Sequence, residues 1–395
     1  ITGGPGTGKT TIIDAICHVF MMMRQHKKNP ASEIRLVAPT GKAAKRLQDA
    51  TGLEATTIHR LLGYNYEGKF TKSAHDKIEA SLVIVDEASM MDVILAYHLF
   101  RALPDKAKLV IVGDDDQLPS VGPGQVLADM IASDCFTTVK LDEIHRQAGD
   151  SGIVGLAYAV LEQNVRQEMF VDHDDLAFYS VPEEKIADFI IGLIRRYVRE
   201  GYSLMDDIQV LAPVYKGRNG IDAVNKLIQE TFNRQNEAHK ICFGDKTFRF
   251  GDKVMQLVNQ PEDGIMNGDI GVVAKIIEDK EMIVDYNGNP VKYNIKDFDN
   301  LTLAYCISIH KSQGSEFNIV LMPIAKSYRI MLKKKLIYTG ITRAKQQLFL
   351  IGDREAFRMG IYGKEKPRKT RLREFLVAEA TRGKDTPNLS IADFL

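Results

Sequence analysis

The chain opens with ITGGPGTGKTT (residues 1–11), and the glycine-rich run ending in Gly8-Lys9-Thr10 decides how the rest is read. In a loop of this kind the backbone N–H groups wrap phosphates, the lysine reaches the β and γ oxygens, and the Ser/Thr hydroxyl holds Mg²⁺. Gly4, Pro5, Gly6, Thr7, Gly8, Lys9, Thr10 and Thr11 are therefore the candidates for holding a nucleotide, with Thr10 also a metal ligand. The apolar run TTIIDAICHVFMMM has a helical period and sets a helix N-terminus behind the phosphates. A bare match arises by chance, but five glycine or proline residues crowd this one, which argues against a simple surface turn. Such a loop normally follows a buried strand, of which only Ile1 and Thr2 are present, so a preceding segment is expected.

Working outward, 395 residues suit two or three domains. No apolar run approaches the roughly 20 residues of a membrane span. Cys17, Cys135, Cys242 and Cys306 are far apart and form no CxxC pair. That disfavours a zinc site or a disulfide framework and suits a reducing, bacterial-type cytoplasm. With 52 basic and 52 acidic residues the net charge is zero, so any polyanion site must be a local patch. Trp is absent, leaving Tyr, Phe and His to stack on bases.

The first 150 residues alternate between strand and helix patterns. IRLVAPT (34–40), SLVIVDEAS (81–89) and KLVIVGDDDQ (108–117) are apolar strands, and GKAAKRLQDATG is a helix with a glycine stop. Continuous Val/Ile/Leu strands separated by helices indicate a parallel sheet covered on both faces. Such sheets place their chemistry at the strands' carboxyl ends. Polar and apolar residues alternate around Glu67-Gly68, which reads as a β-hairpin inserted over 62–80. The α/β pattern restarts with IQVLAPVY (208–215). Between 241 and 300 it gives way to short strands with Gly and Asn turns, suggesting an inserted small β-barrel. LTLAYCISIH, NIVLMPI, a helix near 327–345 and QLFLIGD then resume it. The basic, Pro-containing tail reads as a surface helix with a flexible end.

Asp86-Glu87 after VIV supplies the carboxylates of a nucleotide-hydrolysing site: the first for Mg²⁺, the second for the attacking water. In GDDDQLPSVGPG (113–124), Gln117 is placed to bond a γ-phosphate or that water, with the Pro/Gly loop moving in response. Arg146 and Arg343 sit at loop–helix junctions, where each alone reads as a surface ion pair and both together read as cations for phosphoryl transfer.

GGPGTGKTT, APTGKAAKRL, IVDEASMMD, GDDDQLPSVGPG, LDEIHRQ, ISIHKSQGSEF and YTGITRAK follow one another as motifs I, Ia, II, III, IV, V and VI do in superfamily-one helicases. Their wording resembles the RecD-like subgroup, relatives of the alpha subunit of exodeoxyribonuclease V, over residues 1 to about 352. The resemblance implies an α/β fold of two RecA-like parallel-sheet domains with ATP between them, a β-hairpin pin in the first and an SH3-like barrel in the second. Domain 1A would span 1–143 with the 62–80 insert, domain 2A would span 144–240 and 301–395, and the barrel 241–300. It also implies an ATP-dependent 5′–3′ DNA helicase or translocase on single-stranded DNA, acting at duplex forks with ATP and Mg²⁺, with repair or recombination partners. Carried over, Lys9, Glu87, Gln117, Arg146 and Arg343 would serve catalysis, Thr10 and Asp86 the metal, and Gly314 and Glu316 the nucleotide. The alternative is an ATP-gated DNA-binding subunit that is a motor only inside a larger complex.

Thr40 stands at a helix cap, where free N–H groups take a phosphate, and Lys42, Lys45 and Arg46 share one helical face. TTIHR and SIHKSQ offer hydroxyl and imidazole groups at strand ends, so Thr57, His59, Ser308 and His310 are candidates for DNA-backbone contacts. Tyr64, Tyr66 and Phe70 either stack on a base pair at the fork or pack against one another.

Overall fold

The computed structural model describes residues 1–65, 68–142, 151–170, 173–236, 239–278 and 280–382. Their contacts divide them into two compact units: the described residues of 1–149 and 366–395, and those of 150–365.

The first unit runs β1 (Thr2–Gly3), α1 (Lys9–Met23), β2 (Ile34–Ala38), α2 (Gly41–Thr51), β3 (Ala55–Thr57) and α3 (Ile58–Leu61). It continues with β4 (Leu82–Val85), α4 (Val93–Ala102), β5 (Lys108–Ile111), α5 (Val126–Ser133) and β6 (Lys140–Leu141). The parallel sheet has the order β3-β2-β4-β5. A parallel Thr2–Gly113 bridge adds β1 beyond β5, and β1 pairs in turn with β6. Why these strands are apolar throughout follows from the pleat. Ile34 and Leu36 of β2, with Leu82 and Ile84 of β4, face Ile13 and Cys17 of α1 on one side. Val37, Val83 and Val85 face Ile58, Leu95, Leu99 and Val126 on the other.

At the expected hairpin the described residues carry an antiparallel Tyr64–Phe70 bridge, closed by Asn65 N–H donating to the Lys69 carbonyl and the Gly68 N–H to that of Asn65. Gly63 and Gly68 take positive φ there, and Ser73 turns the chain by accepting the His75 and Asp76 N–H groups. These turns leave no run long enough for a ladder among the described residues of 62–80.

The second unit runs α6 (Gly152–Leu161), β7 (Leu176–Ser180), α7 (Ile186–Arg199), β8 (Ile208–Ala212), α8 (Ile221–Phe232), β9 (Lys240–Phe243), β10 (Lys246–Arg249) and β11 (Lys253–Gln256). Then come β12 (Ile270–Ile277), β13 (Glu281–Asp285), β14 (Pro290–Asn294), β15 (Leu301–Leu303), β16 (Cys306–Ser308) and β17 (Phe317–Ile324). It ends with α9 (Lys334–Ile341), β18 (Ala344–Gly352) and α10 (Arg354–Tyr362). A five-stranded parallel sheet, β16-β8-β17-β18-β7, carries the α/β part. The segment expected to be a barrel is an antiparallel sheet, β14-β13-β12-β11-β15, beside the β9–β10 hairpin, around its own core of Phe248, Val273, Met282, Tyr293 and Phe298. Fully buried Asp252 ties that sheet to the α/β part. It accepts from Asn233 Nδ2 (2.7 Å), Gln229 Nε2, the Arg249 N–H (2.6 Å) and Tyr305 Oη (2.9 Å).

The tail corrects the sequence expectation. Residues 366–382, assigned to the second domain, fold with the first unit. There α11 (Leu372–Arg382) packs on α5, Leu372 joins the core, and Thr370 Oγ1 donates to Asp129 Oδ2 at 2.7 Å. Among the described residues no helix is long and apolar enough to cross a membrane.

Candidate nucleotide and nucleic-acid sites

Three loops leave the carboxyl ends of strands that neighbour one another in the order β4, β5, β1. The loop after β1 carries the phosphate-binding run. Gly6 (φ 74°) and Gly8 (φ 80°) occupy the left-handed region that side chains disfavour. Gly8 caps α1 with no side-chain bond, so the first-turn N–H groups face the loop. Gly3 is required by crowding: a Cβ there would lie 2.7 Å from Thr7 Oγ1 and 2.9 Å from the Leu141 carbonyl. Lys9 Nζ donates to the Gly3 and Gly4 carbonyls at 2.6 and 2.8 Å, and Thr7 Oγ1 donates to Gly4 at 2.9 Å. Thr10 and Thr11 lie in the first turn of α1, and Pro5 in the loop.

The loop after β4 carries Asp86 and Glu87, both buried. Burial, then repulsion from Glu87, raises the Asp86 pKa to about 6, against the pull of Arg46 and Lys9. Asp86 Oδ1 accepts the Glu87 N–H at 2.8 Å. Glu87 itself is left-handed (φ 51°), a conformation that costs a non-glycine residue roughly 1–2 kcal/mol. Its Oε1 receives Arg46 Nη2 from α2 at 2.9 Å. The sequence had placed Arg46 on a basic face with Lys42 and Lys45; of the three, Lys45 is exposed and the other two are half-buried.

After β5, Gln117 Nε2 donates to Asp114 Oδ2 at 3.1 Å, and Thr2 Oγ1 donates to Asp115 at 2.6 Å. Two buried atoms here, Gln117 Oε1 and Ser89 Oγ, have no hydrogen-bond partner among the described residues. Buried polar groups are rarely left so, and an open acceptor on Gln117 is what a bound water or hydroxyl would satisfy. Glycine backbone and lysine fit a nucleotide's phosphates, and the paired carboxylates and this open acceptor fit the metal ion and water that would accompany them.

The Pro/Gly loop that follows is held by a residue the sequence reading did not single out. Arg368 Nη1 donates to the Gly122 and Gly124 carbonyls at 2.8 and 2.7 Å, and Nη2 to Ser120 at 2.6 Å. Nothing local in the sequence links residues so far apart.

The other expected residues fall as follows. Thr40 caps α2, its Oγ1 accepting the Ala43 N–H at 3.3 Å, and Lys42 lies half-buried in the first turn. Thr57 caps α3 and Ser308 caps the short turn after β16. Burial lowers the pKa of His59, against a weaker pull from Asp92, and lowers that of His310. Tyr64 is 52% exposed, with its ring centroid 4.9 Å from Phe70 and 5.3 Å from His59; Phe70 lies 4.4 Å from His98. The aromatics thus pack with one another, and Tyr66 lies outside the described residues. In the second unit Gly314 has φ 72°, and Glu316 pairs with Lys345 at 3.5 Å. Arg343 is 3% exposed and donates to the Thr339 and Ser315 carbonyls and to Thr342 Oγ1, at 3.1, 3.0 and 3.1 Å. Arg146 lies outside the described residues.

Known proteins resemble the chain along most of its length. Residues 1–123 match an AAA domain, 224–286 the ATP-dependent RecD-like DNA helicase SH3 domain, and 303–351 the UvrD-like helicase C-terminal domain. An ATP-dependent RecD2 DNA helicase of Deinococcus radiodurans is 34% identical over 374 residues, covering 95% of this chain. A RecBCD enzyme subunit RecD of Mycolicibacterium smegmatis is 29% identical over 412 residues, again covering 95%. The chain spans 49% of the first relative's length and 72% of the second's. In fold it is similar to a Bacteroides Pif1 helicase crystallised with ADP-AlF3 and single-stranded DNA (TM-score 0.55, 18% identity, 98% of this chain and 93% of that one). A Pif1 helicase from Candida albicans gives a TM-score of 0.52 at 18% identity, covering 98% and 95%. By its matched segments and by relatives that span it almost end to end, the chain is similar to the RecD-like helicases.

Proposed function

We propose that the chain is an ATP-dependent DNA helicase and translocase that moves 5′ to 3′ on single-stranded DNA. The observation that supports this best is the convergence of the Lys9 loop, the Asp86–Glu87 pair and Gln117 at the carboxyl ends of three neighbouring strands. Lys9 and the α1 N-terminus hold the phosphates of ATP. Thr10 and Asp86 hold Mg²⁺, which when bound neutralises charge on the β and γ oxygens. Glu87 accepts the proton of the attacking water, and Gln117 Oε1 orients it. Gly314 and Glu316 are assigned to the nucleotide, and Arg146 and Arg343 to its γ-phosphate. To reach it Arg343 exchanges its carbonyl partners for phosphate oxygens. Thr40, Lys42, Thr57, His59, Ser308 and His310 grip the DNA backbone, with Tyr64 and Tyr66 at the fork. Contacts of this kind carry no base information and suit sequence-tolerant movement.

The test is ATP turnover with and without a single-stranded oligonucleotide, followed by unwinding of duplexes with a 5′ or a 3′ tail. Turnover indifferent to DNA sinks the motor assignment, and preferential opening of the 3′-tailed duplex sinks the polarity. A second reading, a motor subunit of a larger cytoplasmic repair or recombination complex, is favoured by relatives named as RecBCD subunits. Full unwinding by the isolated chain would count against it.

A further inference from the structure

Arg46 and Glu87 join two places that the proposed function treats separately. Glu87 is the carboxylate assigned to the attacking water, and Arg46 sits on α2, the helix assigned to the DNA strand. Their 2.9 Å ion pair is lopsided: the Glu87 side chain is 8% exposed and that of Arg46 33%. The carboxylate is shielded, whereas a third of the arginine side chain faces solution, with its Nη1 buried.

The helix also sets what approaches it. Lys42 and Arg46 are four residues apart and lie one above the other on one face. Thr40 caps the end of the helix below them. A phosphate resting on Thr40 and Lys42 is therefore one helical turn from Arg46. Ala43 and Ala44 pack on Ala38, and Leu47 enters the core, so the helix is pinned and a response falls to the arginine side chain. A guanidinium takes phosphate and carboxylate with the same forked geometry.

We propose that Arg46 is a positioning residue that couples DNA to hydrolysis. Without a strand on α2 its guanidinium engages Glu87 Oε1 and holds that oxygen away from the attacking water. A backbone phosphate of single-stranded DNA takes the guanidinium, and Glu87 Oε1 is released to act as base. The water oxygen then bonds to the γ-phosphorus, its proton passes to Glu87, and the bond to the bridging oxygen breaks with its electron pair retained by ADP. This inference rests on the proposed ATP-driven DNA function.

The experiment compares wild type with Arg46→Gln in two readouts: ATP turnover with and without an oligo-dT strand, and anisotropy of labelled oligo-dT across a salt series. Arg46→Gln is expected to raise DNA-independent turnover severalfold and bring the stimulation ratio close to one. The slope of log affinity against log salt should fall by about 0.7, the loss of one phosphate contact on a single strand. Arg46→Lys keeps the charge without the fork and should fall between the two, which covers the case where the glutamine variant does not fold. Equal loss of basal and stimulated turnover with an unchanged salt slope would make Arg46 a structural prop and overturn the proposal. A wild-type chain whose turnover ignores DNA would instead overturn the functional reading beneath it.

Discussion

Thr57 and Ser308 hold the same position in two different sheets. Each ends the edge strand of its unit's parallel sheet, β3 in one and β16 in the other. Each caps the turn that follows by accepting an N–H three residues on, from Arg60 at 3.1 Å and from Lys311 at 3.3 Å. Each is followed by a fully buried isoleucine, a histidine with a lowered pKa and a basic residue. A hydroxyl that accepts from the backbone still has its own hydrogen to donate, so capping and phosphate contact are compatible uses of one side chain.

Replacing either hydroxyl should therefore show in two assays. Thr57→Ala and Ser308→Ala are each expected to cost about 1 kcal/mol in urea unfolding and to weaken oligonucleotide binding. Thr57→Ser and Ser308→Thr should restore both.

His59, His98 and His310 all have pKa values lowered chiefly by burial. Below the ordinary histidine value of about 6.5 the unfolded chain binds protons that the folded chain does not, so stability rises with pH through that window. Unfolding free energy is expected to be full above pH 7 and to fall as pH drops below about 6.5 toward the folded values. His310→Gln should flatten that slope, as read by urea unfolding at a series of pH values.

Lys9→Ala should abolish nucleotide binding, measured with a fluorescent ATP analogue, while circular dichroism stays unchanged. Glu87→Gln should retain binding and lower turnover by about 10²–10⁴-fold, the usual worth of a general base. Normal turnover by either variant would remove that residue from the site.

Asp252→Ala strands four donors in the interior of the second unit. Burial raises the carboxyl's pKa against the opposing effect of those bonds. A loss of about 3–5 kcal/mol is expected, because each buried donor left without an acceptor costs about 1–3 kcal/mol. A smaller loss, by denaturant titration, would mean that water enters and satisfies them.

Arg368→Ala removes three bonds to carbonyls of the loop that follows Gln117. A destabilisation of roughly 2 kcal/mol is expected, together with faster proteolysis within 118–124. If the loop orients Gln117 for the reaction, kcat falls with KM unchanged.

What the sequence disclosed was mostly local. The phosphate-binding run, the carboxylates after β4 and Gln117 were legible because strand, turn and charge lie within a few residues of one another. The antiparallel segment of the second unit was legible through turns such as Gly268 and Asn287-Gly288, which do take positive φ. At the 62–80 hairpin the alternation pointed to the antiparallel Tyr64–Phe70 pairing, while its extent depends on how much backbone remains between the turns. Helical spacing grouped Arg46 with Lys42 and Lys45, yet could not give its aim at Glu87, which depends on how β2 and β4 lie side by side. The seat of Arg368 was beyond reach for the same reason: its partners come from the other end of the chain.

That last contact changes where the first unit stops. Every recognisable motif lies before Asp353, so a truncation designed from motifs would end there and look complete. It would discard Leu372 and Leu376, baring the apolar seat on α5, and would take the guanidinium clasp with them. The N-terminal half expressed alone has the same defect, and supplying residues 366–382 as a separate peptide is the natural way to mend it.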